Sequence, residues 1–364
     1  MRYGKTVVMA AAVALAVGCG KVDPFADATP DFDGVALEIQ GGAAEGINQA
    51  LKAPELAQSS SALTASVYFT SARAAVGELN AALLKILNAL DYVVTHAEPS
   101  TSTADMRVYG PKDTANVTVQ LTIKKLADGR FGWKLEAKPL GADDTAYVIV
   151  MAGSITKGDL PHRGHGVLGV DLDAYKTVDT AFQGQGKLLC GFAHVVDSKA
   201  VAYKLVGFTP DATVHAPVDA RFVGYRQAAT GFTAARLMSL TNVAPATDAK
   251  ETVLSRVRYL PAVGGRLDFV AFGGDIAADR LYWGTACIDS SSGEVFKRLQ
   301  VCDRATGTTT CVQLSSTGAI GSCPGQADQT PPSDDPNDGT MESGAPAGTE
   351  TVTAPDTLPT VDGQ

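Results

Sequence analysis

Two hydrophobic periods divide the chain. Between residues 64 and 96, Val76, Leu79, Leu83, Ile86, Leu90 and Val94 recur at steps of three and four, and Ala82 and Leu87 widen the stripe. That spacing predicts one long amphipathic helix with a single apolar face. Pro99 and the Ser/Thr cluster behind it stop the helix. The stripe needs an apolar partner, and the rest of the chain offers strands.

From residue 105 to about 315 the period is two. Val117, Val119, Leu121 and Ile123 alternate with polar residues, and so do Phe131, Trp133, Leu135 and Ala137. A three-residue loop, Ala127-Asp128-Gly129 with Gly129 left-handed, sets Ile123 opposite Trp133 and Leu121 opposite Leu135. A two-residue Asp128-Gly129 turn would mix the faces, so the buried face selects the longer loop. Further strands are expected at 146–153, 166–175, 186–196, 200–208, 218–227, 232–241, 251–260, 266–272, 280–288, 295–302 and 308–314. Short Gly, Asp and Pro punctuation separates most of them, as at Asp197 to Lys199 and Gly273 to Asp275. Short connections make antiparallel neighbours, and no helix-sized gaps alternate with strands. The expected fold is mainly β (α+β). It is a large antiparallel meander sheet curled into a barrel or half-barrel, with the long helix packed on it.

The ends of the chain differ from this body. Arg2 and Lys5 precede an apolar run from Val7 to Val17, and Gly18 precedes Cys19. Charge, a short apolar core and a small-residue exit make a secretory signal, too short to span a bilayer. Ala16-Val17-Gly18-Cys19 resembles the lipobox of bacterial lipoproteins, although that family prefers Leu at the first position and here Leu15 sits one place early. The resemblance implies cleavage before Cys19, lipidation of its thiol and acylation of the new amine. Two or three acyl chains anchor a protein stably where one does not. Gly20 follows the cysteine where an Asp would retain the protein at the inner membrane, so the implied address is the outer membrane of the cell envelope.

The expected organisation is a signal peptide (1–18), a lipidated N-terminus and flexible tether (19–60), a single body (61–323) and a disordered acidic tail (324–364). A short strand is possible at Val35–Ile39. The tether and tail have too few large apolar residues for a packed unit. The formal net charge is −9. Residues 324–364 carry eight acidic groups and no Lys or Arg, so removing them leaves −1. A near-neutral body has no nucleic-acid footprint and no polybasic membrane patch.

Export puts the cysteines in a disulfide-permissive space. Beyond Cys19 there are Cys190, Cys287, Cys302, Cys311 and Cys323. The odd one is Cys190, alone in a strand-like run, and the expected free thiol. Four cysteines allow three pairings, of which Cys302–Cys311 with Cys287–Cys323 is favoured. Four-residue loops after Asp289 and Asp303, each ending in a left-handed Gly, set Phe296 opposite Cys287 and Gln300 opposite Cys311. Cys302 and Cys311 then become diagonal neighbours. A tighter Thr306-Gly307 turn would place them directly opposite.

Candidate chemistry is sparse. Gly164, Gly166 and Gly169 match a dinucleotide spacing but lead into a strand rather than a helix, as do Gly184 and Gly186. Ser154 and Lys157 match the serine–lysine spacing of penicillin-binding enzymes without the companion motifs. His162 and His165 lack a third metal ligand in sequence; His96, His194 and His215 are distant. Cys190 with His194, and Asp171 with Asp173, would each share a strand face. No catalytic residue, metal or cofactor is assigned. The expected role is that of a lipid-anchored cell-envelope protein, structural or partner-binding, held to the membrane through Cys19. A carrier or sensor of a hydrophobic ligand is the alternative, similar in architecture alone to the LolA-like half-barrel carriers. An envelope hydrolase is a third reading. It requires His162, His165 or the Asp171/Asp173 pair to converge with other polar groups.

Overall fold

This computed structural model describes residues 97–158, 163–213, 216–242, 247–304, 310–324 and 352–360, together with scattered earlier positions. Those include Phe25, Ala28, Val35, Ala36 and helical residues between 76 and 94. Cys19 and the signal segment, residues 37–75, Ala82, Ile86, His96, His162, His215 and residues 325–351 lie outside the described residues.

Among the described residues fifteen strands succeed one another: β1 (Thr101–Ser102), β2 (Met106–Asp113), β3 (Val117–Lys125), β4 (Phe131–Pro139), β5 (Val148–Lys157), β6 (Gly164–Asp171), β7 (Gln185–His194) and β8 (Ser198–Thr209). Then come β9 (Val218–Gln227), β10 (Thr233–Thr241), β11 (Glu251–Leu260), β12 (Gly264–Phe272), β13 (Arg280–Asp289), β14 (Glu294–Asp303) and β15 (Cys311–Gly318). They form one sheet whose spatial order is the sequence order, a pure antiparallel meander. β1 and β15 do not pair, so the sheet is open and not a closed barrel.

Local chemistry explains the register. Ile123 pairs with Trp133 and Leu121 with Leu135, as the face-matching argument requires. Gly129 carries the turn at φ 85°. Cys287 pairs with Phe296, also as expected. The left-handed residue of that turn is however Ser292, at φ 71°, and not Gly293. Asp289 makes this possible. Its Oδ1 accepts from Ser291 Oγ at 2.6 Å, Ser291 N at 2.9 Å and Gly293 N at 2.9 Å. Those donors, the Ser291 hydroxyl first, hold the Asp289 carboxyl below its ordinary range.

Two expectations fail locally. Strand 166–175 ends at Asp171, and Leu172–Val178 is a short helix. Asp171 is its N-cap, accepting from Ala174 N at 2.9 Å. A capping carboxylate stops the strand although the alternation continues through it. The last hairpin pairs Gln300 with Gln313, not with Cys311, and a register shift follows Leu299. Cys302 therefore faces Cys311 directly.

The main core lies on one face of β2–β9. Val76, Leu79, Leu83, Leu87 and Leu90 of the stripe are buried there against Leu121, Ile123, Trp133, Leu168 and Tyr203. Val94 is half-buried at its end. Trp133 lies across Gly153 of the next strand, where a Cβ would fall inside the ring. Three residues of the expected tether also enter this core: Phe25, Ala28 and Val35. Phe25 stacks edge-on against Phe131 at 5.4 Å, and Arg107 sits 4.4 Å over its ring. Val35 is helical, not extended, and its carbonyl accepts from the Tyr203 hydroxyl. Low average hydrophobicity hid these few anchoring side chains.

Candidate functional site

Partners across an antiparallel ladder point to the same side. Trp133, Gly153, Leu168, Cys190, Tyr203 and Phe222 are successive partners and face the stripe. The opposite, outer side of β5–β8 carries a run of small residues, among them Ala152, Gly169, Gly191, Ala193, Ala200 and Ala202, flanked by the larger Val167 and Leu189. They form a shallow channel, and residues 352–360 of the expected disordered tail lie in it.

The fit is close. A Cβ on Gly191 would land on the Thr353 carbonyl and 3.0 Å from Val352 Cγ1. A Cβ on Gly169 would come within 2.8 Å of Leu358 Cδ1 and 3.0 Å of Pro359 Cδ. Lys204 Nζ donates to Asp356 Oδ1 at 2.7 Å. That hydrogen bond, then the Lys204 and Arg221 charges, pull the Asp356 carboxyl below its usual range. Beside the segment is an open cavity of about 300 Å³. Its walls include Arg130, Ser154, His165 and Phe192, with Val352 and Thr353 closing one side.

Among the described residues, the candidates from sequence occupy separate places. His165 lines this cavity, while its expected companion His162 is outside the described residues. Cys190 and His194 do share the stripe face. Cys190 is fully buried beside Tyr203, and burial pushes its thiol far above the ordinary range, so it is neutral at any physiological pH. His194 is instead contacted by Arg163. Asp171 caps the short helix and pairs with Lys187 at 2.7 Å, whereas Asp173 accepts from Gly186 N at 2.8 Å. Each carboxylate thus has a structural task and they do not act as a pair. Gly164 and Gly166 press against the Thr156 and Ser154 carbonyls of β5, and Gly186 against Gly207 of β8, so these glycines serve strand packing. Ser154 is buried in β5, and Lys157 sits 5.0 Å over the Phe131 ring. Among the described residues, no group of three His, Cys, Asp or Glu is placed to hold a metal.

Cys287 with Cys323 and Cys302 with Cys311 are paired at disulfide distance, with Cα separations of 5.3 and 4.1 Å. Between them lies a cluster that sequence reading missed. Asp268, 1% exposed, accepts from Arg266 Nε at 2.8 Å, Arg266 Nη2 at 2.9 Å and Thr285 Oγ1 at 2.8 Å. Arg256 Nη2 approaches it at 3.4 Å. Arg298, on the same face, stacks 5.1 Å over Trp283. Burial, then the neighbouring Arg266 charge, lower the Arg298 pKa. The available signal was charged residues at alternate positions of strands whose other side chains are apolar on both faces. Arg256, Arg266 and Thr285 lie on β11, β12 and β13, so the cluster ties three neighbouring strands together through one carboxylate.

Comparison with known families, with characterised proteins and with solved structures finds no match to this chain.

Proposed function

We propose that this chain is a lipid-anchored protein of the bacterial cell envelope, with the outer membrane as its address, and that its body is a structural or partner-binding module. In this reading Cys19 carries the anchor, and the sheet curls as a half-barrel around the stripe helix. The observation that carries the non-carrier reading is the packing beneath the stripe. Leu83, Leu87 and Leu90 occupy, with Trp133 and Tyr203, the place where a carrier would hold its ligand; each of the five is less than 2% exposed or close to it. Side chains buried in this way support a filled core over a ligand cavity.

Two features support the envelope and partner-binding parts. The paired cysteines suit an oxidising compartment. The terminal strand β15 carries no charged residue and exposes Val312 and Leu314. An exposed, uncharged edge is a template for an added strand, and both cysteine pairs hold it in place.

The anchor is tested by metabolic labelling with a radioactive fatty acid. The full chain takes up label and Cys19→Ser takes up none; equal labelling overturns the anchor. The body is tested by native mass spectrometry of residues 20–364 purified from the periplasm. The bare chain mass, with two disulfides and one free thiol, is expected. A lipid that is released only on denaturation would overturn the filled-core reading in favour of a carrier.

A further inference from the structure

Glycine inside a strand gives up packing and conformational economy, and it marks a place where another backbone comes close. Gly169 and Gly191 are such positions on adjacent strands, β6 and β7, and both point to the outer face. What comes close to both is the same segment, residues 352–360. The channel therefore has a bound peptide in it, and the peptide is the chain's own end.

The segment is held lightly. It forms no strand, and Val352, Pro355, Leu358 and Pro359 are only half-buried. The Asp356 side chain is 89% exposed in its pair with Lys204, so the pair adds only modestly to affinity, while reversing one of its charges turns attraction into repulsion. Tethering compensates. Residues 325–351 connect the segment to Cys323 and Pro324, and a tether of about that length gives an effective concentration on the order of 1 mM. A site with an intrinsic Kd of roughly 100 μM would then be about nine-tenths filled. A free partner at about 10 μM must bind roughly 100-fold more tightly than the segment to compete. The open cavity beside Val352 and Thr353 offers the means. A partner residue larger than valine would fill space that the segment leaves empty, next to Arg130 and His165.

We propose that the outer channel of β5–β8 is a binding site for extended peptides, occupied in cis by residues 352–360 as a displaceable pseudo-ligand. The ligand class follows from the contacts: an extended Pro- and Thr-rich segment, with a carboxylate for Lys204 and a Leu-Pro pair over Gly169. Arg221 is the direct cross-strand partner of Lys204 and adds positive charge at that end. The site stands independently of the anchor and of the filled core.

The test uses the mature chain with a specific protease site inserted between residues 334 and 340, cut after folding. The probe is a fluorescent peptide with the sequence of residues 349–364. The peptide binds the cut chain, measured by fluorescence anisotropy with the cut segment diluted away, and binds the uncut chain at least 10-fold more weakly. Lys204→Glu weakens binding to the cut chain, and a peptide carrying Asp356→Lys restores it. That charge exchange is decisive, because a merely misfolded variant would not recover. Gly191→Val abolishes binding where it folds. No binding to the cut chain at 1 mM, equal binding to cut and uncut chains, or binding indifferent to Lys204→Glu would each overturn the proposal.

Discussion

In β3–β8 the face toward the stripe is almost wholly apolar, and one large cluster runs from Phe25 through Trp133 to Phe222. In β11–β13 both faces are largely buried but the apolar clusters are small and separate. There the interior holds Asp268 with Arg266, Arg256 and Thr285, and the two cysteine pairs sit at its margin. The meander is the same throughout, so topology does not explain the difference. An open sheet has to cover its faces, and the first region does it with a helix. The second relies on covalent ties and on a carboxylate whose oxygens are satisfied by directed donors. Apolar packing tolerates small adjustments, whereas a buried ion network fails when a single member is removed.

That contrast ranks the expected losses. Asp268→Ala leaves the Arg266 and Arg256 guanidinium groups buried without their carboxylate, and should cost about 3–5 kcal/mol in urea unfolding. Leu83→Ala opens a cavity in the stripe and should cost roughly 3 kcal/mol, within the range for a buried leucine. A larger loss at Leu83 than at Asp268 would reverse the assignment of materials to regions.

Removing the covalent ties comes next. The Cys302–Cys311 pair closes a span of 9 residues and the Cys287–Cys323 pair one of 36. Chain entropy assigns the shorter pair roughly 2.5 kcal/mol and the longer one somewhat more. The chain has two tryptophans, and they divide the regions: Trp133 in the first and Trp283 in the second. In Trp133→Phe the fluorescence reports the second region, and in Trp283→Phe the first. Double replacement of Cys302 and Cys311 by Ser should lower the midpoint seen by Trp283 and leave that seen by Trp133 nearly unchanged. Coincident shifts would mean that the sheet unfolds as one unit.

Strand order and most of the register were legible because period-two alternation and turn residues act locally. Trp133 opposite Ile123 follows from matching faces within one hairpin. The cysteine pairing was legible for the same reason, since Cys302 and Cys311 sit on neighbouring strands. What stayed hidden depends on contacts distant in sequence. Phe25 and Val35 are single apolar residues in a poor context, and only the fold reveals that a pocket between Phe131 and Tyr203 awaits them. Residues 352–360 look like the rest of the tail by composition. Their place shows only when Gly169 and Gly191, twenty-two residues apart, come to diagonal positions on adjacent strands. Asp171 was misread because alternation continued through a capping residue, and composition cannot tell a polar strand position from an N-cap.

The smallest expected effect is the sharpest test of locality. Gly129 has φ 85°, and a Cβ placed there meets no atom within 4 Å. Gly129→Ala therefore adds no clash, and the left-handed backbone alone should cost about 1 kcal/mol. The turn joins β3 to β4, four residues before Trp133, and lies far along the meander from Trp283. If the regions are held by separate means, the Trp133 midpoint falls by the full amount and the Trp283 midpoint does not move. If both midpoints fall equally, hydrogen bonding between strands carries the strain from one region to the other. The difference in their interiors would then be a difference of composition without a difference in cooperativity.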